Sequence, residues 1–234
     1  MRKSLIISIL TITWLCSCGQ RSSSKIAKAI IDSEIEAMTT SNSKQLAQSH
    51  DLKRYIYKDT TYALADGKGI TIQNSFPKGG MIEPDGTQYS DSFAKEYGFA
   101  VFWTRIINET NNPLELNINI PADSFAIFTP PGSYLRLLLP SETMSFDKLS
   151  KFNYGLTDLK SYLDENLDKS SFSRKTINPD EEHIFYIAAL SYKAGGTPRA
   201  ELILKEQGLY YKMSIAPYGS GTIPFGEITF NKKR

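Results

Sequence analysis

Phe99-Ala100-Val101-Phe102-Trp103-Thr104-Arg105-Ile106-Ile107, a turn at Asn111-Asn112-Pro113, then Leu114-Glu115-Leu116-Asn117-Ile118-Asn119-Ile120: this stretch decides the fold class. The second half alternates apolar and polar residues, so one face of an extended chain is apolar and the other polar. That is a half-buried β-strand. The first half is almost wholly apolar and rich in β-branched and aromatic residues, which predicts a central strand covered on both faces. Pro121 ends the second segment, because proline cannot donate to a strand ladder. Joined by so short a turn, the two segments predict a hairpin at the heart of a sheet.

Working outward, further period-two segments appear between turn residues. Asp66-Gly67 separates Thr60–Ala65 from Ile70–Phe76, and Pro84-Asp85-Gly86 is a second turn. Phe125–Phe128 and Tyr134–Leu139 flank Pro130-Pro131-Gly132. His183–Tyr192 is a strong strand, Glu201–Lys205 and Leu209–Ala216 form a hairpin around Gln207-Gly208, and Gly226–Phe230 supplies the last strand. One helix interrupts the series at Thr157–Leu167, with Leu159, Tyr162, Leu163 and Leu167 on one side and Thr157 as cap. About ten strands at this spacing, with no βαβ alternation, predict a mainly β domain over residues 54–234. The expected architecture is a single antiparallel β-sandwich of Ig-like or jelly-roll type. The alternative is a lipocalin-like barrel, disfavoured because the helix and the Pro-rich connection break a simple up-and-down order.

Composition bounds the function. The chain has 234 residues, with 27 basic and 25 acidic side chains and a net charge of +2. There is no basic field for a nucleic-acid reader. Two cysteines and two histidines are too few for a Cys/His zinc site or a disulfide framework. The position of the cysteines is more informative than their number. Arg2 and Lys3 precede the apolar stretch Ser4–Leu15, which is too short for a bilayer span of ~20 helical residues. It fits the apolar region of a secretory signal.

That stretch ends in Leu15-Cys16-Ser17-Cys18, which resembles the lipobox of bacterial lipoprotein precursors. The resemblance covers residues 1–18 and implies a signal peptide at 1–17, diacylglycerol on the Cys18 thiol and acylation of the new amino terminus. Two or three acyl chains would hold the chain stably on a membrane. An aspartate after the cysteine often means inner-membrane retention in such proteins; Gly19 therefore implies an outer-membrane address. The lack of an acidic run after Cys18 points toward the periplasm. Arg2 and Lys3 would leave with the signal, and the mature chain would be neutral, with 25 basic and 25 acidic side chains.

Residues 18–53 read as a lipid-anchored tether. Ile26, Ile30, Ile31, Ile35 and Met38 recur at helical spacing and predict a short amphipathic helix at 25–38. Residues 39–53 are polar.

Motifs for chemistry are scarce. There is no Gly-x-Ser-x-Gly nucleophile elbow, and the spacing of the acids does not match a calcium loop. His50 reads as a solvated linker residue. His183 follows Asp180-Glu181-Glu182, which could tune a base or hold a metal, but Asn178–Glu182 is far more often simply a polar turn before a strand. Gly79-Gly80, Gly195-Gly196 and Gly219-Ser220-Gly221 read as turns rather than phosphate loops. Asn108-Glu109-Thr110 matches a glycosylation triplet that has little meaning in a bacterial lipoprotein.

Thirteen tyrosines are the one suggestive feature. Period two puts Leu209, Tyr211, Met213 and Ile215 in the core and Tyr210 outside. Tyr210, Tyr218 and Tyr134 are the candidate binding residues. No cofactor or metal is expected. The reading favours a lipid-anchored envelope protein with a non-enzymatic binding or assembly role toward a protein or glycan partner. The alternative is a carbohydrate-binding module or a glycoside hydrolase using paired carboxylates.

Overall fold

The computed structural model describes residues 51–64 and 67–230. The signal, Cys18, the helix expected at 25–38 and His50 lie outside the described residues. The compact unit is Leu52–Arg234. In chain order its strands are β1 (Ile56–Ala63), β2 (Gly69–Ser75), β3 (Lys78–Gly79), β4 (Tyr89–Ser90), β5 (Glu96–Asn108), β6 (Leu114–Ile120) and β7 (Tyr134–Leu138). They continue as β8 (Ser171–Ile177), β9 (Glu182–Tyr192), β10 (Arg199–Lys205), β11 (Gly208–Ile215) and β12 (Gly219–Phe230). Between β7 and β8 lie two 3-10 turns, Phe146–Lys148 and Phe152–Gly155, and one α-helix, α1 (Leu159–Asn166).

All pairings are antiparallel, and they make two sheets. The first has the order β1-β2-β5-β9-β7, with β3 and β4 also pairing β5; the second has the order β10-β11-β12-β6-β8. The sheets are not closed into a barrel, so the fold is a mainly β, two-sheet sandwich.

Two hydrophobic cores share the first sheet. Ile70, Ile72, Phe102, Ile106 and Ile187 from its inner face meet Leu116, Ile118, Leu202, Tyr211 and Phe225 of the second sheet. Its outer face sends Phe99, Val101, Trp103, Tyr186 and Leu190 against Leu149, Tyr154, Leu159 and Leu163. Successive side chains of β5 and β9 thus enter opposite cores, which is why both strands are apolar without alternation. The capping layer is pinned by polar bonds: the Tyr186 hydroxyl donates to the Tyr154 carbonyl at 2.7 Å, and the Tyr154 hydroxyl to the Phe76 carbonyl at 2.7 Å.

Several expectations need correction. β5 and β6 do not form a hairpin; they lie in different sheets, and the chain crosses between them at 109–113. Asn108, wholly buried, builds that corner. Its Nδ2 donates to the carbonyls of Asn112 and Ile177, both at 2.9 Å, while its Oδ1 accepts from the Thr110 amide and hydroxyl. The side chain of the apparent glycosylation triplet is therefore a corner brace. Phe125–Phe128 is not a strand: Phe125 alone bridges Leu135. The last strand starts at Gly219 rather than Gly226, and Gly219-Ser220-Gly221 opens it instead of forming a turn. Asp158, not Thr157, is the residue before α1, with a left-handed φ of 50° and no side-chain capping bond. β8 and the two 3-10 turns were not anticipated by the pattern.

Candidate functional site

Two cavities among the described residues are the candidates for a site. The first, about 720 Å³, opens at the end of the sandwich where β3, the start of β5, the β9–β10 connection and the end of β11 converge. Its floor is formed by buried core residues, Ala100, Leu135, Ala189, Met213 and Ile215. Its rims carry Gly79-Gly80 on one side and Gly195-Gly196 on the other. Gly79 is required by close approach, since a Cβ there would sit 2.4 Å from the Phe99 carbonyl oxygen. A Cβ at Gly195 would meet nothing within 4 Å. Lys78, also on the wall, is committed to structure: its Nζ donates to the carbonyls of Leu149 at 2.7 Å and Lys151 at 2.6 Å and lies 4.5 Å from the Tyr154 ring centroid. Burial lowers its pKa from the ordinary lysine value.

The second cavity, about 520 Å³, lies between the Tyr89–Tyr97 segment, the start of β7, and α1 with the residues that follow it. One chain of hydrogen bonds organises its wall. Lys95 Nζ donates to the Tyr134 hydroxyl at 3.3 Å, the Tyr134 and Tyr97 hydroxyls lie 3.1 Å apart, and Tyr97 donates to Asp91 Oδ2 at 3.1 Å. Lys95 also lies over the rings of Tyr134 and Tyr192, 5.7 and 4.9 Å from their centroids. Partial desolvation acts to raise the Asp91 pKa, but the amides of Lys95 and Phe93 and the Tyr97 hydroxyl outweigh it and hold the carboxyl below its usual range.

Burial first, then nearby Asp164, raises the Tyr89 phenol pKa far above its ordinary value. Burial and the Tyr134 hydroxyl do the same for Tyr97. Both phenols therefore stay protonated donors at neutral pH. On the far wall Arg136 pairs with Asp168 at 2.9 Å, and Lys160 with Asp164 at 2.7 Å.

The three candidate tyrosines lie in three places. Tyr134 is in the second cavity's wall. Tyr218 packs half-buried on the inter-sheet core and borders the first cavity, its carbonyl accepting from Thr129. Tyr210 touches neither: it lies half-exposed on the second sheet, with Lys205 Nζ 5.5 Å from its ring centroid. Leu209, Tyr211, Met213 and Ile215 are core, as the alternation predicts. Tyr89, Tyr97 and Asp91 escaped sequence reading, because only tertiary structure sets them beside β7 and α1.

His183 does not gather its neighbouring acids. It stacks on Phe185 at 5.5 Å between ring centroids, while Glu182 pairs with Arg105 and Glu181 accepts from Asn178. Among the described residues, no group of three His, Cys, Asp or Glu side chains is placed to share a metal ion, and no helix is long and apolar enough to cross a membrane. No protein-family model matches the chain, and no curated protein resembles it at a significant level.

Proposed function

We propose that this chain is a lipid-anchored protein of the cell envelope, held through Cys18 at the outer membrane and facing the periplasm, whose folded unit binds a partner rather than transforming a substrate. The anchor rests on the Leu15-Cys16-Ser17-Cys18 signal ending. The binding role rests on the first cavity, a space of about 720 Å³ with core side chains at its base, at the open end of the sandwich. An apolar side chain of a partner protein seated there would lie against Leu135, Met213 and Ile215 at the edge of the inter-sheet core and bury its own apolar surface, at about 25 cal/mol per Å². Gly80 and Gly195, each with open space where a side chain would stand, leave room at the rims for the partner's backbone.

Two substitutions test the two halves. In Cys18→Ser, palmitate labelling and membrane association should both disappear; persistence of both would defeat the anchor. A photo-crosslinking residue at Gly195, where a side chain has open space, should yield a discrete adduct in intact cells. The same probe at Phe172, exposed on β8 away from the cavity, should not. Identical adduct patterns from both positions, or none from Gly195, would remove the cavity as the docking point.

A further inference from the structure

The second cavity differs in chemistry from the first. Its charged wall residues are Asp91, Lys95, Arg136, Lys160, Asp164 and Asp168, three of each sign. Arg136 and Lys160 are already matched to Asp168 and Asp164, and Lys95 to the tyrosine and Asp91 chain. With three charges of each sign already matched, the wall has no net charge to draw in a strongly charged ligand, so the site favours a neutral one.

Of the five buried side-chain polar atoms without a hydrogen-bond partner among the described residues, two belong to this cavity: the Tyr89 hydroxyl, on a residue 1% exposed and near Asp164, and Arg136 Nε. An unpaired buried donor is costly, and both residues line this cavity. A ligand hydroxyl answers both needs, since it accepts from a phenol or guanidinium N–H while donating to a neighbouring carboxylate such as Asp164 or Asp168. Aromatic faces supply the remaining component. Tyr134 lies in the wall, and Phe93, 89% exposed at the tip of the turn braced by Asp91, stands beside the opening with nothing in the fold to account for its exposure. A flat ring bearing C–H groups on its face and hydroxyls around its edge fits this combination.

We propose that the second cavity binds a neutral saccharide, with Phe93 and Tyr134 against a sugar face and Tyr89, Arg136 and Asp164 on its hydroxyls. The site goes beyond the docking role of the first cavity and stands whichever partner that cavity takes.

The test is calorimetric titration of the full chain in detergent with chitohexaose, maltohexaose and cellohexaose. At least one should bind, with an affinity little changed between low and high salt, because no ion pair forms. Tyr89→Phe should weaken that binding about tenfold, the worth of one good hydrogen bond. The same variant should unfold at the same or a higher temperature without ligand, since its orphan hydroxyl is gone. Phe93→Ser should weaken binding by at least a similar factor with no change in unfolding temperature. The proposal falls if none of the three probes binds, if binding collapses at high salt, or if Phe93→Ser leaves affinity intact. It falls also if Tyr89→Phe lowers the unfolding temperature without touching affinity. Should Tyr89→Phe fail to fold, Phe93→Ser decides alone.

Discussion

His183 stacks on Phe185 at the margin of the inter-sheet core, and burial, reinforced by the charge of Lys175, lowers its imidazole pKa below the ordinary value. The consequence for stability has a definite sign. In the unfolded chain the imidazole titrates near pH 6.5, whereas the folded protein resists protonation until lower pH. Between the two values the unfolded state holds more protons, so stability rises with pH there. The contribution is complete above about pH 6.5 and is lost as pH falls toward the folded pKa. The urea midpoint should therefore drop between about pH 7.5 and 5.5, and His183→Phe should flatten that slope. An unchanged slope in the variant would assign the dependence to another group. The same residue shows why local sequence misleads about sites. Asp180, Glu181 and Glu182 precede it directly, yet the strand's period of two turns Glu182 toward Arg105, on the opposite face from His183.

Among the elements, β12 is where geometry is least forgiving. Its register with β11 shifts between Leu209 and Tyr210, and at that irregularity Gly226 adopts a φ of 155°. A Cβ on Gly226 would lie 2.0 Å from the carbonyl oxygen of Asn117 on β6. Gly226→Ala must then move one strand of the central β12–β6 pair as well as adopt a disfavoured backbone, and should cost about 2 kcal/mol or more in urea unfolding. Gly195→Ala, with open space around the new Cβ, should stay within about 0.5 kcal/mol. Equal losses would show that the close approach at Gly226 relaxes freely.

The sequence reveals such strands unevenly. β6, β9 and β11 are legible because burial imposes a pattern on them. β8 is not: as an edge strand it buries only Ile177 fully, and Phe172, Arg174 and Lys175 face solvent. Partnership is less legible still. Alternation in Leu114–Ile120 declares two faces but not which strand lies alongside, and the Asn108–Thr110 corner that sends β6 to the second sheet reads in sequence as an ordinary polar turn.

At the scale of the whole molecule, the two cavities escape sequence reading for one reason. Each is assembled from segments far apart in the chain, such as Asp91 with Asp168 or Gly79 with Gly196, and no local pattern records that convergence. Tyrosine enrichment led to Tyr134 and Tyr218 because half-buried aromatics gather at cavity walls, and to Tyr210 because propensity for strands does the same without any site.

The sharing of β5 and β9 between both cores has a thermodynamic consequence. The layer over the outer face of the first sheet could be a separable lid only if its loss left those strands otherwise covered. Yet Trp103, Tyr186 and Leu190 are buried by that layer, while their chain neighbours Phe102, Ile187 and Ala189 are buried by the second sheet. Losing the layer exposes half of each central strand, at roughly 1.5–3 kcal/mol for each large side chain. The two cores should therefore melt together. A chain beginning at Cys18 has Trp103 as its single tryptophan, wholly buried in the outer core, so its fluorescence reports that core alone while far-ultraviolet circular dichroism reports the sheets. The two urea transitions should coincide. A fluorescence transition at lower urea would instead mean that the layer detaches first, leaving the sandwich to stand without it.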